Sequence, residues 1–282
     1  VLVEPRDTGD KFDELLDHAD DVVFAEHGST LSTFGLRASG TCRQLRYLPI
    51  ERLVMTQSAQ IQVTTAERIT TIRFDRPDKK NAITLEMYAA LCAGLEAAAG
   101  DPAVRAVVLA GSRDCFTAGN DIPDFMRAAQ GGGELTASGG FLRAIATFDK
   151  PLVAAVAGVA IGIGTTMLLH CDLVYAAPTA RFKMPFVDLA LVPEAGSSIL
   201  LPALVGARRA AQLLLLGEEL DAATALSWGL INGIVDDPEA AARTAAQRLA
   251  ACAPTALRTT KALTRRTTRE AVLEAIRVEG EA

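Results

Sequence analysis

The sequence predicts an α/β fold built around a parallel β-sheet, and three observations support this. Over residues 60–190, short apolar segments rich in β-branched residues alternate with segments of helical periodicity. This alternation is typical of parallel strands joined by helical crossovers. Beyond residue 185 the chain becomes mostly helical. The chain has 282 residues, of which 50% are hydrophobic and 22% charged, so it can bury one large core together with a small appendage.

The first 54 residues differ from the rest in composition. Charged residues surround only a short apolar set, and Phe12, Leu15, Leu16 and Ala19 are spaced for one or two turns of amphipathic helix. The segment then becomes rich in Gly, Ser and Thr. We interpret it as a loosely attached arm or a disordered tail. Alternatively it reflects the choice of start site, because Met55 opens a segment with the character of a natural beginning.

The main part of the fold begins at Gln60 with a predicted hairpin. Residues 61–63 and 69–74 predict two short strands on either side of an Ala-Glu-Arg turn. Thr84 is the predicted N-cap of a helix, because Leu85, Tyr88, Leu91, Cys92 and Leu95 would share one face. The continuous apolar run 104–109 predicts a buried parallel strand.

The elements that follow are predicted from the same signals. Glycines at 131–133 and 139–140 indicate a flexible surface loop. Strands are expected over 152–157 and 173–177, with a glycine turn at 158–164 between them. The predicted helices span 141–148, 165–170, 197–204, 207–216, 222–228 and 238–252.

Composition argues against several classes of function. The formal net charge of -6 and the pI of about 5.2 disfavour binding to nucleic acid or to anionic membranes. The basic group Arg265, Arg266 and Arg269 is interpreted as a solvated helix end. Five widely spaced cysteines without a CxxC pair, and three histidines without ligand spacing, predict neither a disulfide framework nor a metal site. We expect a cytoplasmic protein with reduced thiols, no membrane span and no signal peptide.

Two glycine-bearing turns are candidates for chemistry, because each follows a predicted buried strand. They are Phe-Thr-Ala-Gly-Asn-Asp at 116–121 and Gly-Val-Ala-Ile-Gly-Ile-Gly-Thr-Thr at 158–166. The amides of Ile163 and Gly164 would open a helix, where a developing oxyanion is stabilised. The alternative is that the glycines only make tight turns. The spacing matches neither a dinucleotide fingerprint nor a P-loop.

A third candidate is the carboxylate of Glu194, which lies between a strand-like run at 189–192 and a predicted helix. The alternative is a carboxylate that only stabilises the helix dipole. Ser197 offers a hydroxyl as an N-cap or a nucleophile. We expect capping, because no G-x-S-x-G elbow surrounds it. His170 lies among apolar residues and is interpreted as a packed helix residue.

Together these segments resemble the crotonase (enoyl-CoA hydratase/isomerase) superfamily, from about Ile61 to Glu279. The motifs of the resemblance are Arg-Pro at 76–77 with Asn-Ala at 81–82, Ala-Gly-Asn-Asp at 118–121, Ala-Val-Ala-Gly at 155–158 leading to Gly-Ile-Gly at 162–164, Cys-Asp at 171–172, Phe-Lys-Met-Pro-Phe at 182–186 and Pro-Glu-Ala-Gly-Ser-Ser at 193–198. The resemblance implies a crotonase-like fold with a repeated β-β-α spiral core over 58–250. An N-terminal extension over 1–57 precedes the core, and a short helical oligomerisation region over 251–282 follows it.

The resemblance also implies roles for particular residues. The backbone N–H groups of Asn120 and Ile163 would form the oxyanion hole, and Glu194 would be the catalytic base. Coenzyme A, as part of the substrate and not as a separate cofactor, would contact Lys79, Ala82, Ala118, Gly119, Asp121, Ile122, Gly162, Phe186 and Lys261. A mainly apolar acyl pocket would include Met184, Phe186 and Leu191. Family members form trimers or dimers of trimers, so a homotrimer is expected, with no nucleic-acid or membrane partner.

The resemblance distinguishes between two branches of the family. Hydratases place two glutamates around the substrate double bond, and the equivalent positions here are Thr166 and Phe186. The Pro-Glu-x-x-Ser-Ser pattern instead resembles the Δ3,Δ2-enoyl-CoA isomerase branch, in which one glutamate moves a proton between C2 and C4. Two alternatives stay open. One is a hydratase that uses Asp188 or Asp124, and the other is a catalytically weak acyl-CoA-binding protein.

Overall fold

The structure is a computed structural model that describes residues 22–26, 30–34, 52–53, 60–130 and 136–282. Contacts divide the chain into two compact units, Val1–Ile50 and Glu51–Ala282. In the first unit, strand β1 (Val22–Glu26) pairs antiparallel with strand β2 (Thr30–Phe34). The helix predicted over 12–19 and the glycine loop at 131–133 lie outside the described residues.

In the described part of the second unit, the strands form two β-sheets. Its strands are β3 (Arg52–Leu53), β4 (Ile61–Ala66), β5 (Ile69–Phe74), β6 (Ala106–Ala110), β7 (Cys115–Thr117), β8 (Leu152–Val156), β9 (Val159–Ile161), β10 (Leu173–Ala176), β11 (Arg181–Lys183), β12 (Leu220–Asp221) and β13 (Gly233–Ile234). The larger sheet has the order β13-β10-β8-β6-β5-β4-β3 and is parallel from β13 to β5. The smaller sheet has the order β12-β11-β9-β7.

Helices follow or connect these strands and cover the sheets. They are α1 (Leu85–Gly100), α2 (Ile122–Gln130), α3 (Thr136–Thr147), α4 (Ile163–Thr166), α5 (Ser197–Val205), α6 (Ala207–Leu215), α7 (Ala222–Ser227), α8 (Pro238–Ala250), α9 (Pro254–Thr264) and α10 (Arg269–Glu281). Short 3₁₀ helices lie at Pro77–Lys79, Met167–His170 and Val187–Leu189. Within the described residues, none of the helices combines the length and apolar character needed to cross a lipid bilayer.

The larger sheet is buried on both faces, as its uninterrupted apolar strands predict. Alternate residues of β6 belong to different apolar clusters. Val107 and Leu109 join the main core, while Ala106 and Val108 pack in a second cluster that contains Ala242 of α8. This alternation follows from the two-residue period of a strand. The α/β class predicted from the sequence is confirmed.

Several predicted elements are confirmed, whereas two predictions are wrong. Thr84 caps α1 by accepting a hydrogen bond from the Met87 N–H. The helix predicted over 141–148 begins earlier, at Thr136, so Gly139 and Gly140 lie in α3 and not in the predicted surface loop. Packing of α3 against α1 and α10 overrides the low helix propensity of these glycines. The run 189–192, predicted to be strand-like, contains the end of a 3₁₀ helix and the left-handed residue Ala190.

Candidate active site

The two candidate turns are neighbours in the structure. Strands β7 and β9 pair in parallel, with Cys115 opposite Val159 and Thr117 opposite Ala160. Parallel strands have their carboxyl ends at the same edge, so the turns that follow β7 and β9 emerge side by side. Open α/β sheets form their binding sites at such an edge.

Glycines allow the backbones of these two turns to touch. Gly119 has a φ of +89°, and a Cβ at this position would lie 2.7 Å from the Ile161 carbonyl oxygen. A Cβ on Gly164 would lie 2.6 Å from the Thr117 Cγ2 atom. Side chains larger than hydrogen would therefore push the turns apart. The alternative from the sequence, that these glycines only make tight turns, does not explain this mutual contact.

The predicted oxyanion donors are available at this contact. Ile83 flanks the first turn: its N–H donates to the Gly119 carbonyl and its carbonyl accepts from the Asp121 N–H. Among the residues that the structure describes, the N–H groups of Asn120 and Ile163 have no hydrogen-bond acceptor. Ile163 is the first residue of α4, where the N–H has no helical partner. These amides can therefore bind an oxygen of a ligand.

Tyr88 is a polar neighbour of this site that the sequence analysis assigned only to the apolar face of α1. Its phenol is buried and donates a hydrogen bond to the Asn120 Oδ1 atom. Burial raises the pKa of Tyr88 well above its usual value, and the nearby Glu194 raises it further. Tyr88 is thus a neutral donor that holds Asn120 and faces Glu194. Helical periodicity could not reveal this, because an apolar spacing is also typical of core tyrosines.

The loop at 76–83 is bonded to the first turn. The Arg76 guanidinium pairs with the Asp121 carboxylate at 2.7 Å, and this pairing lowers the pKa of Asp121. The Lys80 carbonyl accepts a hydrogen bond from the Ala118 N–H at 2.9 Å. The structure therefore brings together most of the predicted coenzyme A contacts: Lys79, Ala82, Ala118, Gly119, Asp121, Ile122 and Gly162. Lys79 and Ile122 are exposed, whereas the Asp121 carboxylate is already used within the protein.

The remaining predicted contacts, Lys261 and Phe186, are buried side chains. The Lys261 ammonium is buried and bonds to the Asp172 carboxylate (2.7 Å) and to the Lys150 carbonyl oxygen (2.6 Å). These contacts are internal, so the assignment of Lys261 to a coenzyme A phosphate is corrected to a structural role. Phe186 and Met184 are buried in the main core, whereas Leu191, the third predicted pocket residue, is 42% exposed.

Glu194 lies in the turn before α5, and its side chain is half-buried. Burial, followed by the negative charge of Glu279, raises its pKa to about 7. The Thr166 hydroxyl makes a long contact of 3.5 Å with the Glu194 Oε1 atom and favours the ionised form. A carboxyl group with this pKa exchanges protons readily near neutral pH, as a general acid–base catalyst must.

The backbone after Glu194 has an unusual conformation that His170 helps to hold. Ala195 has a φ of +60°, which costs a residue with a Cβ roughly 1 kcal/mol. The buried His170 ring contacts the Ala195 carbonyl oxygen through Nε2 at 2.7 Å, so this nitrogen carries the proton and donates it. Burial lowers the pKa of His170 to about 4, and the ring is neutral at neutral pH.

His170 should make stability depend on pH. Its pKa is about 4 in the folded protein, against 6.5 for an unperturbed histidine. The unfolded state therefore binds a proton first, and as pH falls from 6.5 to 4 the protein should lose up to about 3 kcal/mol of unfolding free energy. Urea unfolding of wild type and His170→Gln at pH 7, 5.5 and 4.5 measures this. A stability difference that does not change with pH would contradict the assignment.

The predicted cap of α5 is wrong. Gly196 occupies the N-cap position, and the Ser197 hydroxyl is buried without a hydrogen-bond partner among the described residues. The amides at the start of α5 are instead bound by the Glu279 carboxylate of α10. Sequence reasoning could not find this cap, because its acceptor is 81 residues away from Ser198.

The two acids considered for a hydratase have other partners. The Asp124 Oδ2 atom accepts from the Leu85 N–H at 2.8 Å, and its Oδ1 atom pairs with Arg127 at 3.1 Å. The exposed Asp188 pairs with Lys183 at 3.3 Å. Among the described residues neither of these contacts involves Glu194, so Asp124 and Asp188 are not paired with it.

Comparison with known proteins gives a consistent result. A family model described as enoyl-CoA hydratase/isomerase matches residues 64–281. Enoyl-CoA delta isomerase 2 of Rattus norvegicus is 38% identical over 222 residues, which is 76% of this chain and 56% of that protein. The chain therefore spans little more than half the length of this relative.

Solved structures include both activities in their descriptions. An enoyl-CoA hydratase/isomerase from Pseudoalteromonas atlantica T6c aligns with a TM-score of 0.75 at 42% identity, covering 78% of this chain and 88% of that one. An enoyl-CoA hydratase from Mycobacterium marinum aligns with a TM-score of 0.67 at 38% identity, covering 73% of this chain and 99% of that one. With its crotonase fold and this family match, the chain belongs to the enoyl-CoA hydratase/isomerase family.

Proposed function

We propose that this protein is an enoyl-CoA isomerase that converts Δ3-enoyl-CoA thioesters to Δ2-trans-enoyl-CoA. The observation that carries the proposal is the Glu194 carboxyl group, which has a pKa of about 7. It lies near Tyr88, whose hydroxyl holds the side chain of the first oxyanion-hole residue. One group that can both accept and donate a proton is what a double-bond shift requires.

The absence of a second carboxylate at the hydratase positions supports isomerisation over hydration. Thr166 and Phe186 stand where the family's hydratases have glutamates, and both are buried. Thr166 contacts Glu194 directly, and Phe186 belongs to the apolar core. A water molecule would lack the pair of carboxylates that activates it in a hydratase.

The reaction would proceed through a dienolate. The thioester carbonyl oxygen would bind the N–H groups of Asn120 and Ile163, which stabilise the negative charge that develops on it. Loss of one such donor typically costs ~3–4 kcal/mol of transition-state stabilisation. The Glu194 carboxylate would take a proton from C2, and the electron pair of that C–H bond would form a dienolate whose charge is shared by the thioester oxygen, C2 and C4. The C3–C4 π pair would then take the proton back from the Glu194 carboxyl at C4, as the thioester carbonyl reforms and the double bond comes to lie between C2 and C3.

A paired assay tests the proposal. Purified protein is given a 3-enoyl-CoA and a 2-enoyl-CoA, and the formation of 2-enoyl and of 3-hydroxyacyl products is measured separately. Conversion of the 3-enoyl substrate with little hydration supports the isomerase. Hydration without isomerisation would overturn it, and thioester binding without turnover of either substrate would favour an acyl-CoA-binding protein.

The pH dependence of turnover provides a second test. The reaction begins with ionised Glu194, so kcat/KM should rise with pH through a single acid limb near 7 and then level off. An unperturbed carboxyl would place this limb at about 4.5. A limb near 4.5 in the wild-type profile would mean that Glu194 is not the base or is not desolvated in solution.

A further inference from the structure

The turn that contains Glu194 is held by a distant part of the chain. The Glu279 Oε2 atom accepts a hydrogen bond from the Gly196 N–H at 2.7 Å, and Oε1 accepts one from the Ser198 N–H at 3.0 Å. N–H groups at the start of a helix lack helical partners and need acceptors of this kind. One carboxylate therefore satisfies two amides that begin two residues after Glu194.

Helix α10 packs directly on this turn. A Cβ added to Gly196 would lie 3.1 Å from the Val272 Cγ1 atom and 3.4 Å from the Val272 carbonyl oxygen. Val272 is buried, and Gly196 has a φ of +69°. The glycine lets the backbone of the turn come close enough to α10 for the Glu279 side chain to reach both amides.

We propose that Glu279 is a positioning residue for the reaction: its carboxylate fixes the turn that places the Glu194 carboxyl and adds a negative charge beside it. This inference rests on the proposed function. Glu279 bonds to the backbone of the turn and not to the reacting atoms, so it acts through Glu194. The role differs from an ordinary helix cap because the bonded amides belong to the turn that carries the base.

The groups around Glu194 explain why the charge of Glu279 matters. Tyr88 of α1 lies near Glu194, Thr166 contacts it from α4, and His170 bonds to the next residue, Ala195. Tyr88 and His170 are neutral near pH 7, so Glu279 supplies the charge in this set. Burial is the main cause of the raised pKa of Glu194, and the Glu279 charge is the second.

Three variants separate the hydrogen bonds from the charge. Glu279→Asp keeps the charge but withdraws the carboxylate from the amides by one methylene. Glu279→Gln keeps the length and one acceptor oxygen but removes the charge. The control is Glu274→Gln on the same helix, because Glu274 is exposed and bonds to Arg277 at 2.6 Å.

The expected results differ between these variants. Glu279→Asp should lower kcat by roughly 10- to 100-fold through misplacement of the base, with the acid limb of the pH profile little changed. Glu279→Gln should move that limb to lower pH, and Glu274→Gln should behave as wild type. Thermal unfolding of each variant shows whether the protein is folded at the assay temperature.

A titration independent of turnover distinguishes this inference from the proposed function. The Glu194 carboxyl carbon is followed by ¹³C NMR and assigned by its loss in Glu194→Gln. If wild type does not isomerise enoyl-CoA, the proposed function fails, yet a lower Glu194 pKa in Glu279→Gln would still support the contact. The role of Glu279 would be overturned if the Glu194 titration were unchanged in Glu279→Gln and kcat were unchanged in Glu279→Asp. It would also be overturned if Glu274→Gln changed the titration or kcat as much as the Glu279 variants do.

Discussion

Replacement of Glu194 by Gln is expected to lower kcat/KM on a 3-enoyl-CoA by roughly 10²–10⁴-fold, because the amide can neither accept nor return the proton. The isosteric side chain keeps the shape of the pocket, so the Kd for a saturated acyl-CoA should change little. Turnover is followed by the appearance of the conjugated 2-enoyl thioester, and binding by calorimetry.

Stability should change in the opposite direction to activity. The pKa of Glu194 is about 7 in the folded protein and 4.5 for the unperturbed group. Above pH 7 the folded protein therefore holds an ionised carboxylate in an unfavourable place. Glu194→Gln should raise the unfolding free energy at pH 8 by up to about 3 kcal/mol, and the gain should vanish near pH 4.5.

A matched carboxylate-to-amide change controls for nonspecific effects. Asp188→Asn alters an exposed acid that pairs with Lys183 and was, with Asp124, one of the two alternative acids for a hydratase. It should leave the isomerisation rate within about twofold of the wild-type rate, since an exposed ion pair contributes little to the stability of the fold. Loss of activity in Asp188→Asn with full activity in Glu194→Gln would reject Glu194 as the base.

The second large effect is expected for Gly119→Ala. The new Cβ would lie 2.7 Å from the Ile161 carbonyl oxygen, and the φ of +89° disfavours any L side chain. Relief of this contact must move the first turn away from the second and separate the Asn120 and Ile163 amides. Loss of one oxyanion donor predicts a fall in kcat of ~10²–10³-fold.

The control for this variant is Gly139→Ala in α3. A Cβ there meets no atom within 4 Å, and the residue is exposed on a helix. Its activity should equal that of wild type, while the helix gains up to about 1 kcal/mol from the better propensity of alanine. Steady-state kinetics and urea unfolding measure both variants. Full activity in a folded Gly119→Ala protein would contradict the oxyanion role of this turn.

Local sequence signals predicted most of the fold. The Thr84 cap, the hairpin at 61–74 and the buried strand near Val107 are each confirmed, because they depend on residues within a few positions of one another. The two glycine turns and the Glu194 turn were also found from local pattern. Their chemical roles come from the family resemblance and remain predictions.

The errors arose where distant contacts decide the outcome. Ser197 was expected to cap α5, but Glu279 binds the amides from the C-terminal helix. Lys261 was assigned to coenzyme A, but its ammonium is buried against Asp172. In both cases the residue type allowed the predicted role, and a partner more than 80 positions away in the chain excluded it.

The α/β class, the order of elements, the family, and the turns that hold the candidate base and oxyanion donors all follow from the sequence alone. These properties depend on hydrophobic period, capping residues and glycine positions, which are local. Three contacts depend on the three-dimensional arrangement instead: Tyr88 holds Asn120, His170 supports the Ala195 carbonyl, and Glu279 binds the Glu194 turn. Each of these is a pairing between segments that folding alone brings together, and burial at the resulting junction gives Glu194 its raised pKa.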